Sequence, residues 1–376
     1  MKRAYATEEA TLAFAKCFSN YKEFYKKHNG LIFSKLGFGT FKKEPYKEEN
    51  YLFDYKEALK CAIGLGINVI DTALNYRYQQ SEREIGEALS ELFDEGKVSR
   101  EALIICSKGG FIPLDFPFPK NPYEWINEHI IQKKLAKPHE IELDQHCMST
   151  AFLEDSLHRS LKNLRVECLD IYFLHNPETQ LHRLGKEAFL KEIETIFTWL
   201  EGCVEKGLIR SYGVAVWNAF FYEETNAEHI NLEALIDIAL RVGGEKHHFR
   251  YIQAPFNLAK THAYSASTQK MRGVPSCTLL RVAEQYGLGV IGSASLLQMH
   301  LFKKPFKPEV GYLLDTQMQL KSDVQLALQF VRSTKGLLTS LFSSTQSDHV
   351  KSNVDIARIP ATTHAKYALL YKVERS

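Results

Sequence analysis

Eight short apolar runs alternate with helix-patterned segments along this chain, and that alternation restricts the fold more than any other feature. The runs are Leu36–Thr40, Ile67–Asp71, Leu103–Ser107, Asp170–His175, Ser211–Val216, Tyr251–Ala254, Gly289–Gly292 and Leu338–Phe342. Several are apolar at consecutive positions, as strands covered on both sides should be. The segments between them carry apolar stripes at helical spacing. Leu153, Leu157, Leu161 and Leu164 form one stripe. Ile193, Phe197, Leu200 and Val204 form another, which stops at Gly207, and Leu279, Leu280, Ala283 and Tyr286 end at Gly287. Ser81 and Glu84 have the spacing of a capping box ahead of Ile85, Leu89 and Leu92. Strand–helix alternation repeated eight times predicts an α/β fold, a (β/α)8 TIM barrel closed by right-handed crossovers. A doubly wound open sheet would leave some of the strands unused.

Two segments fall outside the repeat. Residues 1–30 read as a helical extension with Leu12, Phe14, Ala15 and Phe18 apolar, packed outside the barrel or over its bottom. Residues 109–148 form an insertion far longer than an ordinary strand-to-helix loop. It holds Pro113, Pro117, Pro119 and Pro122 among the aromatics Phe111, Phe116, Phe118, Tyr123 and Trp125. Because it leaves a strand at its carboxyl end, it is expected over the barrel mouth as a lid or pocket wall. The barrel is assigned to residues 31–358, and 359–376 to a C-terminal tail.

Composition removes several function classes. A formal charge of +2, from 47 basic and 45 acidic side chains, gives no general attraction to nucleic acid. No apolar stretch reaches the roughly 18 residues that span a bilayer, and the start, Met1 to Glu9, lacks the apolar core of a signal peptide. Seven scattered cysteines without a Cys-x-x-Cys pair fit reduced thiols in a cytoplasmic compartment. Neither a nucleic-acid nor a membrane partner is expected, and oligomeric state is left open. His146-Cys147-Met148 and His247-His248 contain metal-capable side chains, but no spacing supplies the four ligands of a zinc site. No metal is expected. For His146 and His248, packing or surface roles are favoured over a place in the pocket.

Four residues stand at or just past strand ends: Asp71, Tyr76, Lys108 and His175. In a parallel barrel these ends converge on the face that carries active sites. Singly, Asp71 reads as a helix cap, Lys108 as a rim charge, and Tyr76 and His175 as satisfied core groups. Together they are the parts of a proton donor for carbonyl chemistry. A phenol with a pKa near 10 exchanges protons slowly at neutrality, and a neighbouring ammonium would favour the phenolate. Asp71 would keep Lys108 charged, since an isolated buried ammonium tends to lose its proton. His175 would hydrogen-bond and orient the substrate oxygen. Tyr76 is then the general acid in reduction, or the general base in oxidation.

Asp71-Thr72-Ala73-Leu74-Asn75-Tyr76, followed by Ser81 to Leu89, resembles the first signature of the aldo-keto reductases. Leu157 through His175 is similar to their second, and Ile105-Cys106-Ser107-Lys108 to their lysine strand. Gly37-Phe38-Gly39-Thr40 resembles their first strand, and Tyr251 to Leu258 their sixth. The resemblance covers roughly residues 31–358. It implies a metal-free barrel that moves hydride between a nicotinamide cofactor and a small-molecule carbonyl or alcohol. No Gly-x-Gly-x-x-Gly loop precedes a helix here, so the cofactor would lie extended across the barrel mouth.

Carried over residue by residue, the resemblance assigns Gln253 to the nicotinamide carboxamide and Asn353 to adenine, with Gly39 and Thr40 beside the nicotinamide. Other positions depart. The family's Gly-Val-Ser-Asn reads Gly213-Val214-Ala215-Val216-Trp217-Asn218, so Asn218 would have to substitute from two residues further on. Ser293 stands where an aromatic normally stacks on the nicotinamide. Ser343 and His349 stand where NADPH-specific members place a lysine and an arginine, leaving Ser344 and backbone amides for the phosphate. NADPH is the expected cofactor, with NADH left open by these changes. The competing reading is a cofactor-binding redox sensor or regulatory protein on the same barrel, with little turnover.

Overall fold

The structure is a computed structural model and describes residues 4–41, 54–315 and 319–373. Residues 1–3 of the N-terminal extension and 374–376 of the tail lie outside the described residues. Eight parallel strands close into a barrel: β1 (Leu36–Gly39), β2 (Val69–Asp71), β3 (Ile104–Gly109), β4 (Leu169–His175), β5 (Ile209–Ala215), β6 (Phe249–Pro255), β7 (Gly289–Ser293) and β8 (Leu337–Phe342). Each strand pairs with its neighbours in chain order, and β8 returns to β1 through Ser340 opposite Leu36. This is the expected (β/α)8 architecture, with every expected strand present and its ends moved by only a few residues.

Successive strand residues point to opposite faces, and here both faces are apolar. Val69, Ile104, Cys106, Ile171, Phe173, Tyr251 and Ile291 pack inside the barrel. Ile70, Ile105, Tyr172, Leu174 and Ile252 face the surrounding helices. Continuous apolar runs follow from that double burial. The leucine stripe of helix Thr150–Leu164 is buried, with Ser149 Oγ accepting from Phe152 N at its start.

Two local expectations are corrected. Helix Gln80–Asp94 has no capping box, because its N-cap is Gln79 at φ 71°. Ser81 Oγ instead donates to Thr40 O at 3.3 Å, and Glu84 accepts from Arg77 Nη1 at 2.5 Å and from Tyr55 N at 3.1 Å. Tertiary partners outbid the local motif. In the N-terminal extension the helix covers only Glu8–Lys16, with Thr11 buried and Leu12 exposed. A hairpin follows, Tyr25–His28 paired with Leu31–Ser34. Its Phe33, together with Ala6, joins the barrel's interior core. Asp170 ties this end of the barrel together: it accepts from Ala6 N at 2.7 Å, and from Ile105 N and Arg100 Nη2, each at 2.8 Å.

The insertion leaves β3 and returns beside its own start. Ile112 N donates to Gln145 O at 2.7 Å, Cys147 N donates to Gly110 O at 2.8 Å, and Phe111 bridges antiparallel to His146. Beyond this neck lie a short helix, Pro122–Ile126, which continues into a wide turn, Asn127–Ile131, and a two-stranded hairpin, Ile141–Glu142 with His146–Cys147.

Candidate active site

Strand parity gathers the site. Asp71 follows Val69 by two residues, Lys108 follows Ile104 and Cys106, His175 follows Ile171 and Phe173, and Gln253 follows Tyr251. Each is therefore the next inward-facing position above the apolar core of the barrel. Tyr76 is added by the loop after β2, where Arg77, Tyr78 and Gln79 are all left-handed (φ 48°, 50° and 71°). Gln79 Nε2 holds this turn to the insertion by donating to Leu114 O at 2.6 Å.

The Lys108 ammonium donates to Asp71 Oδ2 at 2.6 Å, to Thr72 O at 2.8 Å and to the Tyr76 hydroxyl at 3.3 Å. Burial works against this ammonium, but Asp71 and then Tyr76 outweigh it and hold the Lys108 pKa above its ordinary value. The Tyr76 phenol does not end up lowered as the sequence reading expected. Burial pushes its pKa up more than Lys108 pulls it down, and Asp71 adds to the rise. The phenol therefore keeps its proton. Burial also drives the His175 imidazole well below its usual pKa, with Lys108 and then His146 adding to the effect, so the ring is neutral. It meets Tyr76 edge to face at 5.8 Å between centroids, and its Nδ1 is buried without a hydrogen-bond partner.

A cavity of about 480 Å³ opens over this cluster. Among the described residues, Asp71, Tyr76, His175 and Gln253 line its floor; Gly39, Ser293 and Ser343 lie on its lining as well. The walls include Phe41, Phe111, Trp217, Leu296, Met299 and Phe342, with Asn75, Gln145 and Asn176 as polar points. Asn75 and Asn176 escaped the sequence reading, although each adjoins a singled-out residue, Tyr76 and His175. Gln145 carried no signal of its own.

The other singled-out residues take separate places. Gln253 Nε2 donates to Asp71 Oδ1 at 2.8 Å, which makes it part of the ion-pair network. Thr40 is buried, its hydroxyl 2.9 Å from that of Thr72. Asn218 lies off the cavity and accepts from Lys260 Nζ at 3.2 Å. Ser343 Oγ donates to Tyr55 OH at 3.3 Å. Ser344 Oγ is engaged in its own turn, accepting from Gln346 N and donating to Gln346 O, both at 3.1 Å. His349 is exposed and Asn353 buried on the following helix, Ser347–Asp355. The structure thus brings Asp71, Tyr76, His175, Gln253, Gly39, Ser293 and Ser343 together around one cavity, with Lys108 buried behind Asp71 and Tyr76, and leaves Thr40, Asn218, Ser344, His349 and Asn353 off its lining.

Glu178, three residues past His175, was also missed. Its Oε1 accepts from Trp217 N at 2.6 Å, and its Oε2 is buried without a partner. Burial pushes its pKa up to about 7 from 4.5. Below the lower value both folded and unfolded chains are protonated; between the two values only the folded chain keeps the proton. Stability is therefore expected to fall as pH rises through that window, by about 3 kcal/mol in all. Glu178→Gln keeps an acceptor for Trp217 and cannot ionise. It is expected to raise the thermal midpoint at pH 8 and to leave it nearly unchanged at pH 4.5. Equal shifts at both pH values would remove the carboxyl's ionisation as the cause.

A closed parallel barrel thus carries, at its strand ends, a buried lysine–aspartate pair set against a protonated tyrosine and a neutral histidine. Residues 35–309 match the model of the aldo/keto reductase family. The chain belongs to that family. It is 27% identical over 203 residues to aldo-keto reductase family 1 member C13 of Mus musculus, covering 51% of this chain and 50% of that protein. It is 28% identical over 203 residues, with the same shares, to prostaglandin F synthase 1 of Bos taurus. The chain thus spans about half the length of the curated relatives it matches. Among solved structures it resembles the holo form of aldo-keto reductase AKR11C1 from Bacillus halodurans, with a TM-score of 0.61, 18% identity, and 94% and 96% of the two chains covered. An aldo/keto reductase from Klebsiella pneumoniae in complex with NADP and acetate gives a TM-score of 0.54 at 19% identity, covering 94% and 95%. Among the described residues no helix is long and apolar enough to cross a membrane.

Proposed function

We propose that this chain is an NADPH-dependent oxidoreductase that reduces an aldehyde or ketone to the alcohol, or runs the reverse reaction. The observation that carries the reading is the buried Lys108 ammonium held between Asp71 Oδ2 (2.6 Å) and the Tyr76 hydroxyl (3.3 Å), both of which line the cavity. NADPH is favoured by family membership and by a relative described as bound to it, an aldo-keto reductase from Klebsiella pneumoniae.

The residues present fit a nicotinamide. Ser295 Oγ is a buried hydroxyl without a partner on the cavity lining, and Gly39, Ser293 and Ser343 keep their part of that lining small. Gln253 donates to Asp71 through Nε2, and its amide oxygen would face the carboxamide. When bound, the nicotinamide supplies the hydride. The chain supplies the proton and the charge. A carbonyl oxygen placed between Tyr76 and His175 would gain negative charge as its carbon is reduced. The Tyr76 hydroxyl would give its proton to that oxygen, and the Lys108 ammonium, 3.3 Å away, would stabilise the phenolate left behind. Neutral His175 would donate its one N–H to the same oxygen and orient it. Ionised Asp71 would hold the ammonium in place throughout.

The test is oxidation of NADPH and of NADH by the purified protein with a reactive aromatic aldehyde or a quinone, alongside titration of each nucleotide. Turnover is expected, with NADPH preferred. If neither nucleotide binds, the proposal is wrong, and binding without turnover of any carbonyl would select the sensor reading instead. A clear preference for NADH would trace to Ser343 and His349 standing in place of a lysine and an arginine.

A further inference from the structure

We propose that His146, carried by the insertion, is the positioning residue that sets His175 for carbonyl binding; this rests on the role given to His175 above. His146 is fully buried, and its Nε2 lies 2.7 Å from the backbone oxygen of His175. A carbonyl oxygen only accepts, so Nε2 carries the proton. Nδ1 is then bare, and it accepts from Gln180 Nε2 at 3.0 Å. The same amide nitrogen donates to His146 O at 3.0 Å, and Gln180 Oε1 accepts from Arg183 Nε at 2.8 Å. Every polar atom of the imidazole is thus spoken for, in one orientation and one tautomer. Burial supports the neutral form by lowering its pKa to about 4.

Phe111 completes the contact. Its ring meets His146 edge to face at 5.1 Å and His175 edge to face at 4.9 Å between centroids. The neck of the insertion therefore holds His175 twice, by a hydrogen bond to its backbone and by an aromatic ring against its imidazole. The fit is close. Gly110 has φ +142°, and a Cβ there would lie 2.8 Å from both His146 Nε2 and His175 O. The seam closes only over a glycine.

This arrangement matters because the His175 imidazole itself lacks a fixing hydrogen bond at Nδ1. What orients the ring is its backbone at the end of β4 and the rings of Tyr76 and Phe111, and His146 touches two of these, the His175 oxygen and Phe111. Losing that hold would misplace the donor without removing it.

The experiment compares His146→Ala and His146→Gln with wild type. Glutamine can present its Nε2 N–H to the His175 oxygen, whereas alanine cannot. His146→Ala is expected to lower kcat about 100-fold, the cost of a slightly misplaced catalytic group, with nucleotide Kd nearly unchanged. His146→Gln is expected to recover to within about fivefold of wild type, the worth of one imperfect hydrogen bond. In parallel, the ring resonances of His175 in nucleotide-free protein, assigned with His175→Gln, should move in the alanine variant and stay near wild type in the glutamine variant. If kcat and those resonances are unchanged in His146→Ala, the proposal is overturned. Equal losses in both variants would also overturn it, as the mark of a general packing role. If wild type itself turns over no carbonyl, the proposed function fails, and the resonances still decide whether His146 sets His175. Should the alanine variant not fold, Gln180→Met, which removes the amide holding the His146 tautomer, is read by the same resonances with the same expected shift.

Discussion

Tyr76→Phe is expected to lower carbonyl turnover by about 10²- to 10⁴-fold, or about 3 to 5 kcal/mol of transition-state stabilisation, with nucleotide affinity nearly unchanged. The ring keeps its surroundings: Phe41 at 5.1 Å and His175 at 5.8 Å between centroids, and the Lys108 ammonium 4.9 Å from its centre. Only the hydroxyl is lost. Lys108 retains Asp71 and Thr72 as hydrogen-bond partners, so neither the fold nor the ion pair depends on it. The measurement is steady-state kcat beside a nucleotide titration. A variant that still turns over at the wild-type rate removes Tyr76 as the acid, and one that also stops binding nucleotide shows a structural effect instead.

Lys108→Met is expected to abolish turnover and to destabilise the fold by about 3 to 5 kcal/mol, because it strands the Asp71 carboxylate in the barrel without its cation. Both partners are almost completely buried. The sign is tested by adding Asp71→Asn. A neutral amide needs no counter-charge and still offers an oxygen to Gln253, so the double variant should recover most of the lost stability in urea unfolding. Turnover should stay absent, since nothing then stabilises the phenolate. If Lys108→Met alone unfolds at the wild-type urea concentration, the pair is not holding the barrel mouth together.

The barrel was legible because its signal is carried by many residues at once. Each strand is buried on both faces, so its apolar run survives single departures, and the spacing of the eight runs leaves few other folds. The tetrad was legible for a related reason: Asp71, Lys108 and His175 each continue a run of inward-facing positions. What failed was local chemistry with distant partners. Ser81 and Glu84 fit a capping box by spacing, but Arg77 and Thr40 claim them. Gln253 finds Asp71 from 182 residues away, which no pattern along the chain announces. His146 was read as packing, and only its contact with the His175 oxygen gives it more to do. The hairpin at 25–34 did carry a signal. Asn29 and Gly30 both have positive φ (46° and 74°), and Asn-Gly is a strong hairpin dipeptide that went unread. On the cofactor side, only positions within reach of the tetrad line the cavity. Nothing in local spacing separated them from Ser344, His349 and Asn353.

The neck of the insertion has a wider consequence. The excursion departs and comes home through adjacent residues, and both of its cavity-lining members, Phe111 and Gln145, sit at that join. The stretch between touches the turn after β2 near its own start, where Leu114 O accepts from Gln79 Nε2 and Phe118 packs against Tyr78, and runs on from there as a longer excursion. Change in the part beyond Phe118 is expected to leave the clasp at the two ends, and the wall they present, in place. The entrance to the cavity is thereby joined to the tetrad at two places along that excursion, its clasped neck and the Leu114 contact with the turn that carries Tyr76.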